Sequence, residues 1–196
     1  MANKAAFTPD EWTKIMESVM LTGMAVTAAD PSGLIGVLKE SMATGRNLLA
    51  ARSDPESNEL VRAVATDFAT SEGRHVAREG LKMTLQGSKA RDVAARSMAE
   101  LREVVSLVDQ KAPGDAAGFK TWLQHIAVGV AEAANEGGFL GFGGVQVSDT
   151  EKATLAELST VLGTQVAAQA PSSAAASPPL ATGTPGKTAG PSTGKG

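Results

Sequence analysis

Thr8-Pro9-Asp10-Glu11-Trp12-Thr13-Lys14-Ile15-Met16-Glu17-Ser18-Val19-Met20 is the stretch whose reading decides the fold. Proline at a first helical position costs nothing, because the N–H it lacks would have no partner there. Thr8 before it is a good N-cap, and Thr8 with Glu11 has the form of a capping box. Behind this start, Trp12, Ile15, Met16, Val19, Met20 and Met24 fall on one helical stripe. The spacing predicts a helix over 9–28.

The same punctuation recurs along the chain. Asp30-Pro31, Asp54-Pro55 and Ala112-Pro113 each precede a run with helical spacing of apolar residues, and every other proline lies in the last 26 residues. A second helix is expected after Pro31, burying Leu34, Ile35, Leu38, Met42 and Leu49. A third follows Pro55, burying Leu60, Val61, Val64 and Phe68. A shorter one over 72–85 ends at Gln86-Gly87, a glycine C-cap. Ser88 opens the next, in which Ala94, Met98, Leu101, Val105 and Val108 keep the 4-3-4-3 spacing of a bundle helix. After a turn over 111–118, Phe119, Trp122, Leu123, Ile126 and Val130 mark another helix. The last begins at Ser148, again with a capping-box pattern, buries Leu155, Leu158 and Leu162, and stops at Gly163. No stretch alternates convincingly with period two, so no sheet is expected beyond a few residues over 145–147. The reading is all-α: a single bundle of about six or seven helices over residues 7–163, followed by a tail over 164–196. From Pro171 onward, 23 of 26 residues are Ala, Pro, Gly, Ser or Thr, too little apolar surface to offset the cost of ordering, so the tail reads as disordered.

Composition limits the function classes. The chain has 196 residues, 42% of them apolar, and no cysteine. Disulfides, thiolate catalysis and thiolate metal sites are excluded, and a reducing compartment fits. Met1-Ala2-Asn3-Lys4-Ala5-Ala6-Phe7 lacks the apolar stretch of a signal peptide, and no apolar run reaches membrane-spanning length, so a cytoplasmic protein is expected. Lys187 and Lys195 are the only charged residues beyond position 163. The first 163 residues therefore hold 16 basic and 21 acidic side chains, a net of −5. That balance argues against general affinity for nucleic acid. The basic stretch over 74–102 reads as the solvated face of two helices.

Catalytic signals are weak. There is no HExxH, no histidine pair at metal-ligand spacing, no nucleophile elbow, and neither GxxxxGK[ST] nor GxGxxG. His125, between Leu123 and Ile126, reads as a half-buried structural histidine. The methionines at 16, 20, 24 and 42 read as core filler.

The unusual segment is Asn135-Glu136-Gly137-Gly138-Phe139-Leu140-Gly141-Phe142-Gly143-Gly144-Val145-Gln146-Val147, in which five glycines enclose three large apolar residues. Connecting loops are normally polar. Gly138, Phe139, Leu140, Phe142 and Gly144 therefore form a candidate binding loop with three readings: a plug folded into the bundle, an exposed patch for a partner or lipid surface, or a wrap around an anion or metal. The plug is the preferred reading, because each large side chain left in water forgoes about 1.5–3 kcal/mol. Two segments also share a pattern. Residues 24–30 lead through Pro31-Ser32-Gly33 into a helix, and residues 126–132 lead through Asn135-Glu136-Gly137 into the last one, in the manner of an internal pseudo-repeat.

On those residues, the C-terminal third over 126–163 resembles the tellurite-resistance TerB-like helical domains. The resemblance rests on an Ala-rich helix, an acidic-glycine turn and a short helix of the form Val147-Ser148-Asp149-Thr150-Glu151…Leu155…Leu158…Leu162-Gly163. It implies pseudo-symmetric helical halves and acidic turns able to hold a divalent cation, which Asn135, Glu136 and Glu151 would carry here. The family's Asp-Gly turn reads Asn135-Glu136-Gly137 in this chain, and a long Gly/Phe insertion follows it. The leading expectation is a non-enzymatic interaction or stress-associated protein that binds a protein partner or itself through an apolar helix face. The alternatives are a TerB-like cation-binding module and an enzyme assembled from scattered acids.

Overall fold

The structure, a computed structural model, describes residues 3–28, 45, 48, 50–54, 56–135 and 149–164. Six α-helices have their full extent among them: α1 (Pro9–Thr27), α2 (Glu59–Ala69), α3 (Ser71–Leu85), α4 (Val93–Lys111), α5 (Pro113–Asn135) and α6 (Asp149–Leu162). Residues 45, 48 and 50–53 are also helical. Short 3-10 turns precede α1 and α4, at Lys4–Ala6 and Ala90–Asp92. No strand occurs among the described residues, and none of their helices is long and apolar enough to cross a membrane. The protein is all-α. Most of the helix expected after Pro31, residues 145–147 and the tail from 165 lie outside the described residues.

The start of α1 matches its sequence. Thr8 Oγ1 accepts from the Glu11 N–H at 3.3 Å and Glu11 Oε2 accepts from the Thr8 N–H at 2.7 Å, the reciprocal capping box. Pro113 likewise opens α5. The third helix starts elsewhere. Asp54 Oδ1 accepts from the Glu56 N–H at 2.9 Å, which makes 54–57 a turn, and α2 begins four residues beyond Pro55 with Asn58 as its cap. Asn58 Oδ1 accepts from the Val61 N–H at 2.9 Å, while its Nδ2 donates to the Asp115 carbonyl of α5 at 2.7 Å. One side chain thus starts one helix and ties it to another. Ser88 does not open α4; Lys89 leads into the 3-10 turn and the α-helix starts at Val93. Gly87 and Gly163 end α3 and α6 with φ of +76° and +66°, the left-handed conformation that glycine adopts without steric penalty.

Helix α1 is the axis of the fold. It packs against all five other helices, most extensively α4, α3 and α5; α2 bridges α3 and α5, and α6 lies on α4 and α5. Its buried set is wider than the stripe read from sequence: Trp12, Ile15, Met16 and Val19 are joined by Leu21, Ala25, Val26 and the polar Glu17, Ser18 and Thr22. Two of those polar groups are satisfied by the helix itself. Ser18 Oγ donates to the Ile15 carbonyl at 2.7 Å and Thr22 Oγ1 to the Ser18 carbonyl at 2.8 Å. Glu17 has no such local solution.

Candidate functional site

The loop singled out from sequence, Gly138, Phe139, Leu140, Phe142 and Gly144, lies outside the described residues, as does Glu136. Asn135 closes α5 and Glu151 sits in the first turn of α6. Among the described residues no group of three or more His, Asp or Glu side chains could hold a metal ion. His125 is exposed on α5 rather than half-buried, and His75 is exposed on α3. Two clusters that the sequence reading did not identify stand out instead.

The first is a corner between the N-terminal segment, α1 and α2. Asp67 Oδ2 accepts from Lys4 Nζ at 2.8 Å and from the Trp12 indole Nε1 at 2.7 Å. Partial burial works against the Asp67 carboxylate, but these two donors outweigh it and lower its pKa. Phe7 stacks obliquely on Trp12 with ring centroids 6.0 Å apart, and Lys4 lies 5.9 Å from the Trp12 ring centre. An open depression of about 490 Å³ here is lined by Lys4, Trp12, Glu59, Arg62, Ala63 and Asp67 among others. Asp67 and the Trp12 indole are bonded to each other and Lys4 is bonded to Asp67, so this corner is a clamp on the N-terminal segment.

The second cluster lies where α1, α3 and α4 meet. Glu17 is 2% exposed. Its carboxyl oxygens accept from the Thr84 hydroxyl of α3 at 3.2 and 3.3 Å. Above it runs Gly80, where a Cβ would come within 2.5 Å of Glu17 Oε2 and 3.0 Å of Thr13 Cγ2. Only glycine lets the backbone of α3 approach the carboxyl this closely. Lys14, one turn earlier on α1, instead bonds Glu100 and Glu103 of α4 at 2.6 and 2.7 Å. Those bonds, the one to Glu100 above all, hold Lys14 firmly charged and lower the pKa of Glu103. Burial, reinforced by the negative charge of Glu100, pushes the Glu17 carboxyl up to about 7 against the opposing pull of Thr84 and Lys14. A carboxyl poised near neutrality is the usual equipment of a general acid or base. Here the backbone of α3 closes over it, so the chemistry open to it is taking up and releasing a proton.

The surface above this contact is charged with a slight basic excess, Arg74, Arg78 and Lys82 against Glu72 and Glu79. Helix α3 buries only Gly73, Ala77 and Gly80 and exposes His75, Arg78, Glu79 and Lys82 beside Met83, which is 73% exposed. The solvated basic face expected over 74–102 is thus present.

No family model matches this chain, and neither a curated protein nor a solved structure matches it significantly. The resemblance to TerB-like domains therefore rests on residues 126–163 alone.

Proposed function

We propose that this chain is a non-enzymatic interaction module of the cytoplasm that offers the outer face of α3 to an acidic protein surface. The observation that carries the reading is how α3 is mounted. It seats Gly73, Ala77 and Gly80 fully and Leu81 and Leu85 partly against the bundle, and it turns Arg78, Lys82 with its partner Glu79, and the exposed Met83 outward. Cationic side chains around a polarisable apolar one suit a partner of opposite charge, with methionine adapting to its contour. The freedom from cysteine fits the reducing compartment in which such a module would work.

A photoactivatable residue placed at position 83 of the full chain, expressed in the cells that make it, tests this. Discrete adducts are expected from position 83, absent when Arg78→Glu and Lys82→Glu are added, and absent from a probe at the exposed position 117 on α5. Equal labelling from 83 and 117, or adducts indifferent to charge reversal, would exclude α3 as the contact surface. The cation-binding alternative has its own readout: calcium or zinc would raise the melting temperature saturably, and Glu136→Gln would abolish the rise.

A further inference from the structure

Glu17 is a buried carboxyl to which no cation of the described residues is bonded. Among the described residues Thr84 is its hydrogen-bond donor, and the backbone of α3 at Gly80 lies against it. The neighbouring ammonium, Lys14, is engaged with Glu100 and Glu103. The fully buried residues of helix α3 are Gly73, Ala77 and Gly80, and beside them Leu81 and Leu85 pack only partly buried against the core. A helix whose large apolar side chains are at most partly buried belongs to the lower-stability part of a structure, where local opening occurs first.

We propose that Glu17 is a proton-operated latch for α3: with its proton in place the helix stays seated on α1, and when the proton leaves, the α1–α3 contact loosens. An ionised carboxylate under Gly80 would be desolvated without a counter-charge, and opening α3 lets water reach it.

The charges that act on Glu17 come from two helices. Lys14 on α1 favours the carboxylate, and Glu100 on α4 disfavours it. Arg96 of α4 donates Nε to the Thr84 carbonyl at 3.2 Å and so flanks the same turn of α3. Helix α3 itself presents the neutral Thr84 hydroxyl, its charged residues Glu72, Arg74, Arg78, Glu79 and Lys82 being exposed. No charge from α2, α5 or α6 figures among the influences on Glu17. The proton therefore leaves as the pH passes about 7, inside the range a cell can sample. The latch does not depend on the outer face of α3 having a partner.

Hydrogen exchange on the full chain, followed residue by residue and corrected for intrinsic rates, tests the latch. Between pH 6 and pH 8 the protection of α3 amides should fall about tenfold while that of α4 and α5 holds, the change expected for one proton lost at a group titrating near 7. In Glu17→Gln the fall should vanish. Glu100→Gln should move its midpoint to lower pH by removing a repelling charge. Lys14→Met should move it to higher pH by removing an attracting one. Those opposed shifts decide the matter even if Glu17→Gln folds poorly, because loss of packing alone would not give them opposite signs. Protection of α3 that is indifferent to pH, an equal fall in Glu17→Gln, or a Glu17 carboxyl carbon titrating in the ordinary carboxylate range would each overturn the proposal.

Discussion

At the scale of single residues, Asp67 and Gly80 show opposite ways of joining helices. Asp67 joins them by charge and hydrogen bonds, collecting Lys4 and Trp12 on one oxygen. Trp12→Phe keeps most of the ring and deletes only the indole donor. It should cost about 1.5–3 kcal/mol in denaturant unfolding, the range for a hydrogen bond to a charged group; a loss below half a kcal/mol would mean Lys4 alone holds the corner. Gly80 joins helices by having no side chain. Gly80→Ala gains up to about 1 kcal/mol of helix propensity but forces a methyl against Glu17 and Thr13, and overpacking of this kind costs about 1–3 kcal/mol. The net effect should be destabilising. In a Glu17→Ala background the nearest obstacle is gone while Thr13 Cγ2 and the Cβ of residue 17 remain, so the same substitution should cost less. A double-mutant cycle with no coupling between positions 17 and 80 would refute the close approach.

At the scale of helices, the caps decide where elements begin, and α2 shows the competition. Asp54-Pro55 and Asn58 are both residues of the kind that open helices. The asparagine prevails because Asp54 turns its side chain onto the Glu56 N–H, using the residues before the helix as a turn, and because Asn58 also reaches the Asp115 carbonyl. That long-range bond is invisible in the local sequence. Asn58→Asp retains a capping oxygen but loses the amide donor, whereas Asn58→Ala loses both. The alanine variant should be destabilised by about 2 kcal/mol from cap and tie together, the aspartate variant by about half of that. Equal losses would assign the whole effect to the tie. The helix ends were easier to read, since a glycine at φ of +76° or +66° does locally what its sequence position suggests. Helix α4 lies between these cases: Met98, Leu101 and Val108 are buried as spaced, but Val104 takes the fully buried place expected of Val105.

At the scale of the molecule, titration sets a direction that composition does not. Glu17, raised to about 7 in the fold, contributes stability that is complete below the ordinary carboxylate value and is lost as pH rises towards 7. Asp67 and Glu103 are lowered, so their contributions hold above the ordinary value and vanish as pH falls through the folded one. Together they place the maximum of the melting temperature near the ordinary carboxylate value, about pH 4–5. Glu17→Gln should flatten the alkaline side only. A wild-type melting temperature constant from pH 5 to pH 8 would contradict the assignment. The all-helical class was legible because apolar spacing and caps are local signals. The centrality of α1 was not, since a helix carrying Glu17, Ser18 and Thr22 reads as one-sided until two hydroxyls bond their own backbone and the acid is roofed by α3. The Glu17 cluster was hidden for the same reason. Its members, Lys14, Gly80, Thr84 and Glu100, are scattered over more than eighty residues and form no motif.

The three small residues that α3 buries also limit how freely its sequence can drift. Gly73 faces the Asp67 carbonyl at close quarters, Ala77 is fully enclosed, and Gly80 abuts Glu17. Position by position, a saturation library over 71–85 should return a nearly binary profile. Tolerance should collapse at 73, 77 and 80, while the outward positions 75, 78, 79, 82 and 83 accept most residues that favour helix. Selection on this helix would then leave one invariant line of small side chains beneath a surface open to change, and new binding specificities could arise there without disturbing the fold.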